Sequence, residues 1–119
     1  MTQIQLQLRR FNHPIQISHT LAMPPCCPVS KNPRDGSEVT IRYTTVGSVL
    51  DVLCLPDYLR TFINGKGEIR SAEDMIDQIA DDVLVALDSE GASVTVTAVI
   101  ILQPDTDGKP NSITIQATR

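Results

Sequence analysis

The chain opens on a strict alternation, with Ile4, Leu6 and Leu8 on one side and Gln3, Gln5 and Gln7 on the other. A period of two is what a strand shows when one of its faces is buried, so an amphipathic strand is expected over residues 3–8. From Asn12 to Asp35 the chain is punctuated by Pro14, Pro24, Pro25, Pro28 and Pro33. Proline lacks an amide proton and fixes φ, which rules out both a helix and a central strand and predicts a long, stiff loop. Loops of this length are uncommon in a small domain unless they serve a site.

Alternation resumes with Val39, Ile41 and Tyr43 against Glu38, Thr40 and Arg42, and runs through Val46 and Leu50 to about Val52. A second strand, kinked at Gly47, is expected there. Pro56 suits a first helical turn, Leu55, Leu59, Phe62 and Ile63 recur at helical spacing, and Asn64-Gly65 supplies a left-handed stop, which together predict a short helix. Between Ser71 and Asp88 the apolar residues Ala72, Met75, Ile76, Ile79, Ala80, Val83, Leu84 and Leu87 form one continuous helical stripe. Ser71 with Asp74 resembles a capping box, and Glu73, Asp74 and Asp77 suit the positive end of the helix dipole. After Gly91, Val94, Val96, Ala98, Ile100 and Leu102 alternate with Thr95, Thr97, Val99 and Ile101, and a turn over Gln103 to Asn111 leads to Ile113, Ile115 and Ala117, a hairpin pattern.

The expected order is β-β-α-α-β-β, an α+β domain with an antiparallel four-stranded sheet and two helices on one face. Thr95, Val99 and Ile101 would then occupy the other face, where a partner surface is expected to cover them, so assembly into a homo-oligomer is predicted.

With 119 residues, 41% of them hydrophobic, one domain spanning 1–119 is expected. Ten Lys and Arg against fourteen Asp and Glu give a net charge of −4, which argues against a broad phosphate-binding surface. A nucleic-acid partner would have to be met by a local patch drawn from Arg9, Arg10, Lys31, Arg34 and Arg42. Two Tyr, two Phe and no Trp leave little for stacking bases. No segment approaches the roughly 20 apolar residues of a membrane span, and the first residues do not read as an export signal, so a cytoplasmic protein without membrane contact is expected.

The three cysteines, Cys26, Cys27 and Cys54, are an odd number without an export signal, and reduced thiols are expected. Cys54, at an apolar strand end, reads as a packing residue. Cys26 and Cys27 lie in the proline-rich segment, among polar residues. His19 with these two cysteines raises zinc as a ligand set, but neither C-x-x-C nor H-x-x-x-H spacing is present, so no metal site is expected. Taken singly, Asp35 is a turn residue in Asp-Gly and Glu73 a solvated carboxylate at a helix start.

Cys27-Pro28-Val29-Ser30, followed by Asp35 and then the strand Val39-Thr40-Ile41-Arg42-Tyr43, resembles the tunnelling-fold (T-fold) family that contains the QueF-type 7-cyano-7-deazaguanine reductases and the QueF-like amidinotransferases. Ser71-Ala72-Glu73-Asp74 is similar to the segment that opens the second helix of that family. The likeness covers roughly residues 25 to 100. It implies a T-fold assembling into a ring-like homo-oligomer, with Cys27 as the nucleophile that adds to a nitrile carbon to form a thioimide. It further implies Asp35 as the proton carrier and Glu73 as the carboxylate gripping the purine-like ring. Beside these, Lys31 and Arg34 are candidates to stabilise the thiolate, Cys26 is the competing nucleophile, and His19 is a candidate supporting residue.

Two departures from the reductase pattern bear on the second step. The stretch Leu50 to Tyr58 contains no lysine where reductases carry a lysine-rich segment for NADPH, and Ala72 stands where they have a histidine before the glutamate. The spacing from Cys27 to Asp35 is one residue longer than in the family. The resemblance therefore implies an amidinotransferase that uses ammonia and no redox cofactor, and that converts the nitrile of 7-cyano-7-deazaguanine, free or in tRNA or DNA, into an archaeosine-type formamidine. The alternatives are an NADPH-dependent nitrile reductase of queuosine biosynthesis and a non-catalytic or cyclohydrolase-like purine-binding protein of the same fold.

Overall fold

The computed structural model describes residues 4–8, 11–26, 36–69, 71–87, 92–102 and 111–119. Six strands and two helices lie within them: β1 Leu6–Leu8, β2 Ile15–Ala22, β3 Glu38–Thr45, β4 Ser48–Leu50, α1 Leu55–Arg60, α2 Ala72–Leu87, β5 Ser93–Leu102 and β6 Asn111–Thr118. The main sheet is antiparallel in the order β2-β3-β5-β6, and β1 pairs with β4 in a separate two-stranded sheet. The architecture is α+β, as the pattern of the chain predicts.

Two expectations are corrected. Residues 15–22, placed in a loop on account of their prolines, form an eight-residue strand. Pro14 and Pro24 flank this strand and do not interrupt it, and β2 is an edge strand, where few ladder bonds are at stake. Its alternation is regular, with Ile15, Ile17, His19 and Leu21 half-buried and Gln16, Ser18, Thr20 and Ala22 exposed. Because β2 takes the place beside β3, the opening strand does not enter the main sheet; Leu6 pairs with Leu50 and Leu8 with Ser48. The strand expected over residues 39–52 is accordingly two. The chain bends at Val46-Gly47, where the amide of Ser48 donates to Thr45 Oγ1 at 3.3 Å, and leaves one sheet for the other.

The register settles the faces of the main sheet. Val39, Ile41 and Tyr43 of β3 and Val94, Val96, Ala98 and Ile100 of β5 are buried in one core with Met75, Ile76, Ile79, Ala80 and Val83 of α2. Full burial of each large aliphatic side chain contributes roughly 1.5–3 kcal/mol. The opposite face is mostly hydroxyl and amide. Thr20 and Thr40 hydroxyls meet at 3.0 Å, Arg42 Nε donates to Ser18 Oγ at 3.2 Å, and Thr97 Oγ1 donates to Gln116 Oε1 at 3.2 Å. Val99 is 45% exposed there, flanked across the ladders by Glu38 and Thr114. Thr95 and Ile101, both half-buried, lie on the same outer face, Ile101 beside Ser112.

Both helices are where the pattern puts them. α2 buries Met75, Ile76, Ile79, Ala80, Val83 and Leu87, and the amide of Asp74 donates to Ser71 Oγ at 3.1 Å, the N-terminal half of the expected capping box. α1 begins with Pro56 in its first turn and ends at Arg60. Four tightened turns follow, up to Asn64 (φ +61°) and Gly65 (φ +96°), the left-handed stop. Tyr58 of α1 donates its hydroxyl to Asp82 of α2, which also accepts from Gln78 Nε2 at 2.7 Å. At the end of β6, Arg119 reaches back to α2, bonding Asp81 at 2.6 Å and pairing with Asp77. No helix among the described residues is long and apolar enough to cross a membrane.

Candidate functional site

The segment that carries the candidate nucleophile leaves the sheet at the end of β2 and returns at the start of β3, and both ends are held. The amide of Met23 donates to the carbonyl of Ser37 at 2.9 Å, one bond beyond the β2–β3 ladder. Ser37 is 2% exposed, and its hydroxyl accepts the amide proton of Ile101 at 2.8 Å, which ties this neck to the far end of β5. A buried serine accepting a backbone amide spares an N–H that would otherwise be desolvated without a partner, a loss of about 1–3 kcal/mol. Gly36 precedes it at φ +92°, in the left-handed region where a side chain is strained. On the outgoing side, Pro25 accepts the amide proton of Asn64 at 3.2 Å, docking the strand exit on the turn after α1.

Of the residues singled out in the sequence, Cys27, Lys31, Arg34 and Asp35 lie outside the described residues, as do Arg9 and Arg10. Cys26 is fully buried and belongs to the hydrophobic core. Its thiol is a packing group, whereas a nucleophile must be reached by substrate. Glu73 is exposed in the first turn of α2, and among the described residues its carboxylate has no hydrogen bond or ion pair. It is held by a capped helix and open to a ligand.

His19 stands on the core side of β2. Its ring stacks on Tyr43 with centroids 5.8 Å apart and planes 20° apart, and Nε2 lies 3.3 Å from the Tyr43 hydroxyl. That hydroxyl accepts the amide proton of Leu50 at 2.9 Å, so its own proton is left to point at Nε2. Burial pushes the His19 imidazole below its ordinary pKa and the Tyr43 phenol above its own. His19 therefore links β2 through Tyr43 to β4. Among the described residues no three of His, Cys, Asp or Glu come together to hold a metal ion.

Cys54 is corrected in place and keeps its packing role. It is the half-buried residue just before α1, outside any strand, where it packs against the core, and its sulfur accepts the amide proton of Gln5 at 3.2 Å and donates to the carbonyl of Asp51 at 3.0 Å. The thiol thus fastens the chain just ahead of β1 to the start of α1.

Beside the neck lies a cleft of about 400 Å³, walled by Leu21 to Pro24 on one side and by Pro56, Leu59, Arg60 and Ile63 on the other. Arg60 pairs with Asp57 one turn earlier on α1. Neither Ser37 nor Arg60 stands out in the sequence, the first because a serine after Asp-Gly reads as part of a turn, the second because a lone arginine on a short helix reads as a solvated end. The alternation of residues 15–21 was a usable signal for the wall that β2 builds.

Comparison of the chain with models of protein families and with curated proteins returns no match.

Proposed function

We propose that this protein is an amidine-forming transferase of the T-fold type, acting on the nitrile of 7-cyano-7-deazaguanine. The observation that carries the reading is the neck: the Cys27-Pro28-Val29-Ser30 motif and Asp35 belong to one segment of the chain whose two ends are joined by the Met23–Ser37 bond, so a nucleophile and a proton carrier are tethered to one anchored base. The order of the main sheet adds support. Counting the strands of the main sheet alone and leaving aside the β1-β4 pair, two strands precede the two helices and two follow, the order that the sequence resemblance implies for a T-fold. The exposed Glu73, capped in place, is available to accept the paired N–H donors of a guanine-type edge.

In this reading the Cys27 thiolate adds to the nitrile carbon and the nitrile nitrogen takes a proton from Asp35, giving a thioimide. Ammonia attacks the same carbon, its surplus proton returns to Asp35, and the carbon–sulfur bond breaks to release the thiolate and an amidine. The net change is addition of ammonia across the triple bond, and no electrons are required. Assembly of copies belongs to the same reading, a neighbour presenting its Glu73 to Cys27. The uncharged, proline-free edge strand β6 supports it, since an edge of that kind is open to further pairing.

Intact-mass measurement of the protein incubated with the free nitrile base tests the proposal. The expected result is an adduct of the mass of the base, absent in Cys27→Ala and discharged by ammonium to the amidine. No adduct on the wild-type chain overturns the reading, and discharge that consumes NADPH replaces it with the reductase.

A further inference from the structure

We propose that the cleft between the end of β2 and α1 is a binding site for a small monocarboxylate with an apolar body, a function going beyond the nitrile chemistry. The volume of about 400 Å³ falls in the range of small-molecule sites, roughly 300–1,000 Å³. Its walls select the occupant. Leu21, Met23, Pro24, Leu59 and Ile63 offer apolar surface and no side-chain hydrogen-bond partner, so a purine edge, which needs several such partners, is not matched there. Ile63 is 41% exposed, an apolar side chain left in water until something covers it.

Arg60 is the charged residue among those described around the cleft, and it decides the sign of the ligand. One of its terminal nitrogens is engaged by Asp57 on the same helix face, and further N–H donors of the planar fork are left unspent. A carboxylate fits that fork in a two-point contact. The neighbouring Asp57 also limits the charge. A single guanidinium already shared with one carboxylate suits a monoanion, whereas a phosphate dianion would meet Asp57 with no second cation among the described residues of the cleft to offset it.

The test uses the intact protein and two ligands of one shape, 3-phenylpropionate and its neutral amide, with amide chemical shifts and calorimetry as readouts. The expected result is saturable binding of the carboxylate with shifts at Leu21 to Met23 and Leu59 to Ile63, weaker binding of the amide, and a loss of about tenfold for the carboxylate alone in Arg60→Gln. Arg60→Gln changes an exposed side chain, and a circular dichroism spectrum matching the wild type shows that the fold is kept. Equal affinity for acid and amide, affinity unmoved by Arg60→Gln, or shifts elsewhere than the cleft would overturn the proposal. So would a concentration-dependent dimer that buries the cleft, is dispersed by Ile63→Asp and excludes the carboxylate. Either outcome leaves the thioimide experiment unaffected, so the two readings fail separately.

Discussion

The two helices lie between the same pair of strands and are held by different means. α2 has sixteen residues and a continuous apolar stripe, and its place over β5 and β6 follows from burying that stripe. α1 has six residues, too few for a stable helix alone, and is fixed by contacts that no periodicity announces. Tyr58 bonds Asp82, Phe62 is wholly buried with its ring edge-on to Tyr58 at 5.5 Å, and Lys66 lies over both rings while donating to Thr61. A long helix is positioned by its pattern, a short one by particular partners. The cleft wall and the strand exit at Pro25 both depend on the second kind.

This contrast can be broken by substitution. Phe62→Ala should be the most damaging change, costing about 3–5 kcal/mol in urea unfolding, and Ile79→Ala in α2 should follow at about 2–5 kcal/mol, because each empties a closed site. Tyr58→Phe removes one hydroxyl and keeps the ring. Loss of a bond to a charged acceptor should cost about 2 kcal/mol and raise amide exchange in α1 more than in α2. Ser71→Ala deletes the cap of α2 and should cost about 1 kcal/mol, less than Tyr58→Phe. Were the order of these last two reversed, α1 would not depend on its polar tie.

The smallest expected effect lies off the helices. The folded His19 has a pKa below the unfolded value of 6.5, so the unfolded chain binds the proton more readily. Stability should therefore fall as pH drops from 6.5 towards the folded value and level off below it, and His19→Gln should remove that slope. An unchanged slope in the variant would show that His19 is not the group responsible.

What could be read from the chain follows the same division. The stripe from Met75 to Leu87 locates α2 within a residue, and Asn64-Gly65 marks the stop after α1, because both signals are local. The strand Ile15–Ala22 was legible in its alternation and hidden by its neighbours, since Pro14 and Pro24 weigh against a strand only when they fall inside it. The split between β3 and β4 depends on which strand each half pairs with, which is not local information. At the candidate site, the motif around Cys27 and the helix start at Glu73 were visible as residue types in order. Ser37, whose hydroxyl reaches a strand 64 positions away, was not. The outer face was also within reach, for Thr95, Thr97, Val99 and Ile101 alternate with the buried Val94, Val96, Ala98 and Ile100.

The bond between Met23 and Ser37 separates the length of the chain beyond it from the register of the sheet behind it. A residue gained or lost past that point changes the closure entropy only slightly, a doubling of the loop costing about 0.6 kcal/mol, while the ladder from Ala22 and Glu38 inward stays in phase. The segment between Met23 and Ser37 can therefore be lengthened or shortened on an unaltered scaffold. A protein engineer seeking a place to graft a foreign loop would begin there.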